Sequence, residues 1–135
     1  MLERLQSIAR RNANASIRSD DVVHFDMNPA NVLHNGGRLS GVVDWNAPFS
    51  GAAQGDRGFD IATLLFYTYD LASTRDLLWR AALATSGMAW TAVYLCHLCL
   101  RQVEWSRRHR PGGDEEARFM RIARAVLNDC EARGA

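Results

Sequence analysis

The sequence predicts an α+β fold that is mostly helical. Three observations carry that reading. Two β-like runs flank Asn35-Gly36-Gly37, a polar Asp- and Asn-bearing loop lies just ahead of them, and from Asp56 onward the apolar residues recur at helical spacing. With 135 residues, the chain suits a single domain spanning 1–135 with one core.

The elements follow in order. Leu2, Leu5 and Ile8 sit between Glu3, Arg4, Gln6 and Arg10, the pattern of a short amphipathic helix, which runs out in the polar stretch 12–16. Val22-Val23-His24-Phe25 reads as a short extended segment. Asn31 to His34 and Arg38 to Asp44 read as a β-hairpin, because Asn35-Gly36-Gly37 tolerates the positive φ that a tight turn requires. Trp45 to Gln54, rich in small residues and containing Pro48, reads as a loop. Asp56 is placed to cap a helix over about 57–71, whose Phe59, Ala62, Leu65, Phe66 and Tyr69 share a face. Two further helices are expected at 76–84 and 88–106, separated at Ser86-Gly87, where glycine opposes continuation. Pro111-Gly112-Gly113 breaks the chain. Asp114, Glu115 and Glu116 then open a last helix with negative charge at its positive end.

Composition narrows the function classes. The chain is 47% hydrophobic and 23% charged, with a net charge of +1, which argues against nucleic acid as a partner. The dense basic run Arg107-Arg108-His109-Arg110 precedes a helix breaker and reads as a solvated helix end. Three cysteines, Cys96, Cys99 and Cys130, form no disulfide framework, and the Cys96–Cys99 pair lacks a second ligand pair for zinc. They read as small core residues in a reducing, cytoplasmic setting. Residues 81–100 carry no charge, yet Thr85, Ser86, Gly87, Thr91 and His97 interrupt them, so buried helices are expected rather than a membrane span. All 16 basic residues are arginine, and there is no lysine.

The chemistry-bearing stretch is His24-Phe25-Asp26-Met27-Asn28-Pro29-Ala30-Asn31, followed by Gly41-Val42-Val43-Asp44. Phosphoryl transfer needs a carboxylate to orient a hydroxyl and accept its proton. It also needs oxygen ligands to hold Mg²⁺ against the phosphates. Asp26 and Asn31 have the D-x-x-x-x-N spacing of a kinase catalytic loop, in which the Asp is the base and the Asn a metal ligand. The hairpin springs from Asn31, so its second strand returns Asp44 to that neighbourhood. Taken singly, each residue also fits a structural role: Asp26 a turn former, Asn31 a loop-to-strand junction, Asp44 a strand-end cap.

Three segments in order resemble the aminoglycoside phosphotransferase and choline kinase-like family. They are His24-Phe25-Asp26 with Asn31; Val43-Asp44-Trp45; and Gly55-Asp56-Arg57-Gly58-Phe59-Asp60-Ile61-Ala62. The resemblance implies a protein-kinase-like C-terminal lobe: catalytic loop, β-hairpin, then a run of helices. It implies Asp26 as catalytic base, Asn31 and Asp44 as Mg²⁺ ligands, and His24 and Asp60 as supporting residues that hold the loop. A carboxylate at an apolar helix start, like Asp60, needs donors if buried, and loop N–H groups suit it. Phe25 stands where the family usually has Gly, and Asn28 and Ala30 replace its frequent His and Gly.

The resemblance also implies an ATP-dependent small-molecule kinase, with Mg²⁺ and ATP or another NTP as cofactors and a hydroxyl compound as acceptor. The acceptor-binding residues are not legible. The 23 residues before His24 cannot hold the family's nucleotide-covering N-terminal lobe, and no lysine is available for the phosphates. Nucleotide binding by this chain alone is therefore expected to be weak. A homo-oligomer, or a separate N-lobe chain, is expected to cover the exposed apolar surface. Two other readings remain: a non-catalytic remnant serving as a binding or oligomerisation module, and a hydrolase using His24, Asp26, His34 and Asp44 on a transition metal.

Overall fold

The computed structural model describes residues 1–12, 15–45 and 54–135. Of the expected loop over 45–54, residues 46–53 lie outside the described residues, as do positions 13–14, and Gln54 stands in a short strand. Helices α1 (Leu2–Asn12), α2 (Gly58–Tyr67), α3 (Ala72–His109) and α4 (Asp114–Ala132) dominate, with strands β1 (Asp21–Val22), β2 (Val32–Asn35), β3 (Arg38–Val42) and β4 (Gln54–Gly55). The fold is thus mostly helical α+β. The chain divides into two compact units, Ile17–Ser86 and Met1–Ser16 with Gly87–Ala135. The division falls inside α3, where Gly87 leaves helical geometry at φ 70°, ψ 176°. The break expected at Ser86-Gly87 is present. Glycine permits it, since an L side chain at that φ would be strained. The span Ala72–His109 is long and apolar enough to cross a membrane by length and composition. Gly87 interrupts it, however, and Trp79, Ala82, Leu95 and Leu98 are buried within the fold.

In the unit Ile17–Ser86, β2 and β3 form the expected antiparallel hairpin, with Val32 opposite Val42 and Asn35 opposite Arg38. Gly36 and Gly37 both have positive φ, 57° and 76°, as a two-residue primed turn requires. A register shift between Leu33 and His34 marks a bulge. A 3-10 turn, Pro29–Asn31, leads into β2. The second sheet departs from expectation. The strand is Asp21–Val22, paired antiparallel with Gln54–Gly55, and it stops before Val23 and His24. The His24 and Phe25 N–H groups turn instead to the Asp60 side chain, so they join no ladder.

Helix α2 is shorter than its apolar stripe suggested. It ends at Tyr67, and Thr68 to Leu71 make a turn, with Leu71 N–H donating to Thr68 O at 2.9 Å. Tyr69 is still buried, and its hydroxyl accepts from Trp79 Nε1 at 3.2 Å, so the turn is fixed from α3. α3 correspondingly starts at Ala72, before the expected 76, and runs on to His109. At the start of α2, buried Asp56 acts as its sequence position suggested: Oδ1 accepts from Gly58 N at 2.8 Å. The same oxygen accepts from Ser86 Oγ at 2.9 Å, tying the end of this unit to the helix start. Gly58 is there because nothing larger fits. A Cβ would lie 1.7 Å from Ser86 Oγ and 2.9 Å from Ser86 Cβ. Gly58→Ala is therefore expected to cost about 1–3 kcal/mol, read as a lower denaturation midpoint at unchanged m-value. A midpoint at or above wild type would show that Ser86 turns aside freely.

In the other unit, α1, the part of α3 after Gly87, and α4 bury their apolar faces: Leu5 and Ile8; Ala92, Leu95, Leu98 and Val103; Phe119, Ile122, Val126 and Leu127. Arg4 bridges Glu131 with two bonds of 2.7 Å, and Arg11 bonds the carbonyl of Ala135, both locating α1 against the chain's C-terminal end. Exposed pairs of this kind contribute little energy and mainly fix register. Cys96, Cys99 and Cys130 are free and buried, as expected for core residues. Burial pushes the Cys96 and Cys130 thiols up to about 12, and Cys99 is raised as well, first by burial and then by its two neighbours. None is poised for thiolate chemistry near neutrality. The basic run is an exposed helix end, with Arg107 on Glu116 at 2.8 Å and Arg110 on Glu115 at 3.3 Å.

Candidate functional site

The site is built on the 24–31 loop. Its fixed point is Asp60, in the first turn of α2. Asp60 Oδ2 accepts from His24 N at 2.7 Å and Oδ1 from Phe25 N at 2.9 Å. Those bonds hold Phe25 at φ 64°, a left-handed conformation that a β-carbon disfavours. The position where glycine is the usual residue thus keeps a glycine-like backbone. The Phe25 ring lies 5.7 Å from Phe59. Burial raises the Asp60 carboxyl above its ordinary value, and the two amide bonds pull the other way.

His24 is fully buried and links the loop to the hairpin. Its Nδ1 accepts from Asp26 N at 3.3 Å, which makes Nε2 the protonated nitrogen, donating to Val43 O at 2.8 Å. The Val43 N–H donates to Asn31 O at 3.0 Å. Both backbone groups of Val43 are therefore tied down, one to the catalytic-type loop and one to its end. Asp44 follows directly, also left-handed at φ 59°, a conformation that Asp tolerates better than most residues. Asp44 is thus one residue beyond the backbone bond from Val43 to Asn31.

Within the loop, Asn31 Nδ2 donates to Asp26 O at 2.9 Å and reaches Asp26 Oδ2 at 3.5 Å. Its N–H₂ end is thereby committed to Asp26, which leaves Oδ1 as the end suited to a cation. Asn31 is almost fully buried, Asp26 is half-buried, and Asp44 is exposed. An amide oxygen and a carboxylate are hard donors that fit Mg²⁺, which retains waters and phosphate oxygens for its remaining positions. Trp45 is exposed; its ring lies 4.8 Å from His24 and its Nε1 donates to Val42 O at 3.1 Å.

The loop, Asp44 and Asp60 thus come together in one unit. His34 does not join them: it is exposed on β2. Both ring nitrogens of His24 are occupied by protein groups. No group of three His, Cys, Asp or Glu side chains among the described residues is arranged to hold a metal. The transition-metal hydrolase reading has no support in this geometry. Beside the loop, a cavity of about 360 Å³ is lined by Met27, Val32, Leu39, Val42, Ile61 and Leu64 together with Arg57 and Asp60.

Sequence reasoning missed Asn28. Its Oδ1 accepts from Ala30 N at 2.9 Å and its Nδ2 donates to Asp26 Oδ2 at 3.2 Å. An Asn directly before Pro is a helix-cap signal, but nothing in the spacing announces a contact with the carboxylate.

Within Ile17–Ser86 the helix-start carboxylate of Asp60 thus holds the loop that the hairpin leading to Asp44 continues. A family model described as the phosphotransferase enzyme family (APH) matches residues 2–95. The chain belongs to that family, as its resemblance to aminoglycoside phosphotransferases implied. No curated protein and no solved structure matches it.

Proposed function

We propose that this chain is the catalytic lobe of an ATP-dependent phosphotransferase that acts on a small-molecule hydroxyl, with the C-terminal lobe of a kinase-like fold. The observation that carries the reading is the connected set Asp60, His24, Val43 and Asn31, which ties the loop bearing Asp26 to the residue before Asp44. In this reading Asp26 orients the acceptor hydroxyl and takes its proton. The acceptor oxygen bonds to the γ-phosphorus as the bond to the ADP oxygen breaks. Asn31 Oδ1 and the Asp44 carboxylate would hold Mg²⁺, which supplies charge neutralisation at the phosphates. His24 and Asp60 keep the loop in shape and touch neither substrate.

The sequence contains no lysine, so a lysine contact to the phosphates has to come from outside these 135 residues. Nucleotide binding by these 135 residues alone is accordingly expected to be weak, and a lysine-bearing lobe outside them would complete the site. Calorimetry with Mg²⁺ and ATP, comparing wild type with Asp44→Asn, tests this. The expected result is a weak Mg²⁺-dependent heat that the substitution removes. Equal nucleotide binding by both proteins would sink the assignment of Asp44.

A second reading, a non-catalytic binding or oligomerisation module, is favoured by one observation. Leu33, Leu39, Val43 and Trp45, on or next to the hairpin, are 45%, 70%, 41% and 53% exposed, a set of large apolar groups that a partner or a second copy would cover. Absence of any Mg²⁺-dependent binding at millimolar nucleotide would favour it.

A further inference from the structure

We propose that Asn28 is a positioning residue for Asp26, with a separate structural task at its other end. The inference rests on Asp26 being the proton acceptor of the phosphotransferase reading. The two ends of the Asn28 amide meet different partners. Oδ1 accepts from Ala30 N at 2.9 Å and caps the 3-10 turn Pro29–Asn31. Nδ2 donates to Asp26 Oδ2 at 3.2 Å and to Asp26 O at 3.3 Å.

The ends cannot be exchanged. A flipped amide would set N–H₂ against the Ala30 N–H and a carbonyl oxygen against a carboxylate. The cap therefore aims the donor. Asn31 also faces Asp26, but its firm bond is to the backbone carbonyl at 2.9 Å, and it reaches Oδ2 only at 3.5 Å. Asn28 makes the closer approach to that oxygen. With Asn28 fixing the carboxylate, Asn31 is free to serve with Oδ1. Asp26 is half-buried, and an aspartate without such a donor has several rotamers open to it, whereas catalysis needs one.

Capping and positioning can be separated, because Asp and Ser cap about as well as Asn but lack its N–H₂. Asn28→Asp keeps the acceptor and sets a second carboxylate beside Asp26. Asn28→Ser keeps a capping oxygen without adding charge. Carboxyl ¹³C NMR of the full chain reads the Asp26 side chain directly, with Asp26→Asn identifying its resonance by loss. The expected result is an unchanged Tm for Asn28→Ser and a lower one for Asn28→Asp, with the Asp26 resonance shifted and broadened in each. In an assembly that turns over, kcat should fall on the order of 10- to 100-fold with KM for nucleotide unchanged. An Asp26 resonance identical to wild type in Asn28→Ser would overturn the inference and reduce Asn28 to a cap. Phosphoryl transfer that survives Asp26→Asn would instead overturn the reading of Asp26 itself, whatever the Asn28 variants show.

Discussion

Asp26→Asn is expected to lower kcat for phosphoryl transfer by about 10²–10⁴-fold while leaving Mg²⁺-dependent nucleotide binding in place. The substitution keeps the size of the side chain and removes its ability to accept the hydroxyl proton. Asp26 N donates to His24 Nδ1 and Asp26 O accepts from Asn31 Nδ2, and both backbone contacts survive the change. The loop should therefore keep its shape, and the loss should appear in turnover rather than in Tm. Steady-state kinetics on whichever assembly transfers phosphate, with calorimetry alongside, checks both parts. A kcat within threefold or so of wild type would remove Asp26 from the chemistry, since a general base contributes at least about a hundredfold.

The second large effect belongs to Asp60. Asp60→Ala strips the acceptor from the N–H groups of His24 and Phe25, of which His24 is fully buried. Orphaning such donors costs about 1–3 kcal/mol each, and the left-handed Phe25 loses the contacts that hold it there. A loss of about 2–5 kcal/mol in denaturant unfolding is expected, together with loss of any Mg²⁺-dependent binding. The pH dependence has a definite sign. Burial raises the Asp60 carboxyl above its ordinary value, so the native state holds this proton to higher pH than the unfolded chain does. Stability from this group is fully present below the unfolded value and is lost as pH rises through the folded one. Asp60→Ala should flatten that part of the stability profile, and an unchanged slope between mildly acid and neutral pH would show that Asp60 does not titrate as described.

Much of the site was legible because its markers are local. Asp26 and Asn31 sit five residues apart in one loop, and Gly36-Gly37 names the turn that returns Asp44. What was not legible is what depends on partners far along the chain. The pairing of Asp21–Val22 with Gln54–Gly55 involves two residues on each side, too few to leave a periodic pattern. The early end of α2 reflects the turn holding Tyr69 against Trp79, a tertiary contact that overrides the apolar stripe. The split of the chain at Gly87 was visible as a glycine, whereas the gathering of Met1–Ser16 with the C-terminal helices was not, since it rests on contacts such as Arg4 with Glu131. The role of Asn28 was hidden because one side chain serves as cap and as donor at once.

The Asp60 clamp has a further consequence for how the molecule comes together. Its two bonds join residues 35 and 36 positions apart in sequence. No local preference can form them, because closing so long a loop is an entropic cost met only when the rest of the unit has assembled. The 24–31 loop is thus expected to reach its final shape only after the first turn of α2 exists to receive it. A nascent or partly unfolded chain carries the full D-x-x-x-x-N sequence without the clamp that holds His24 and Phe25.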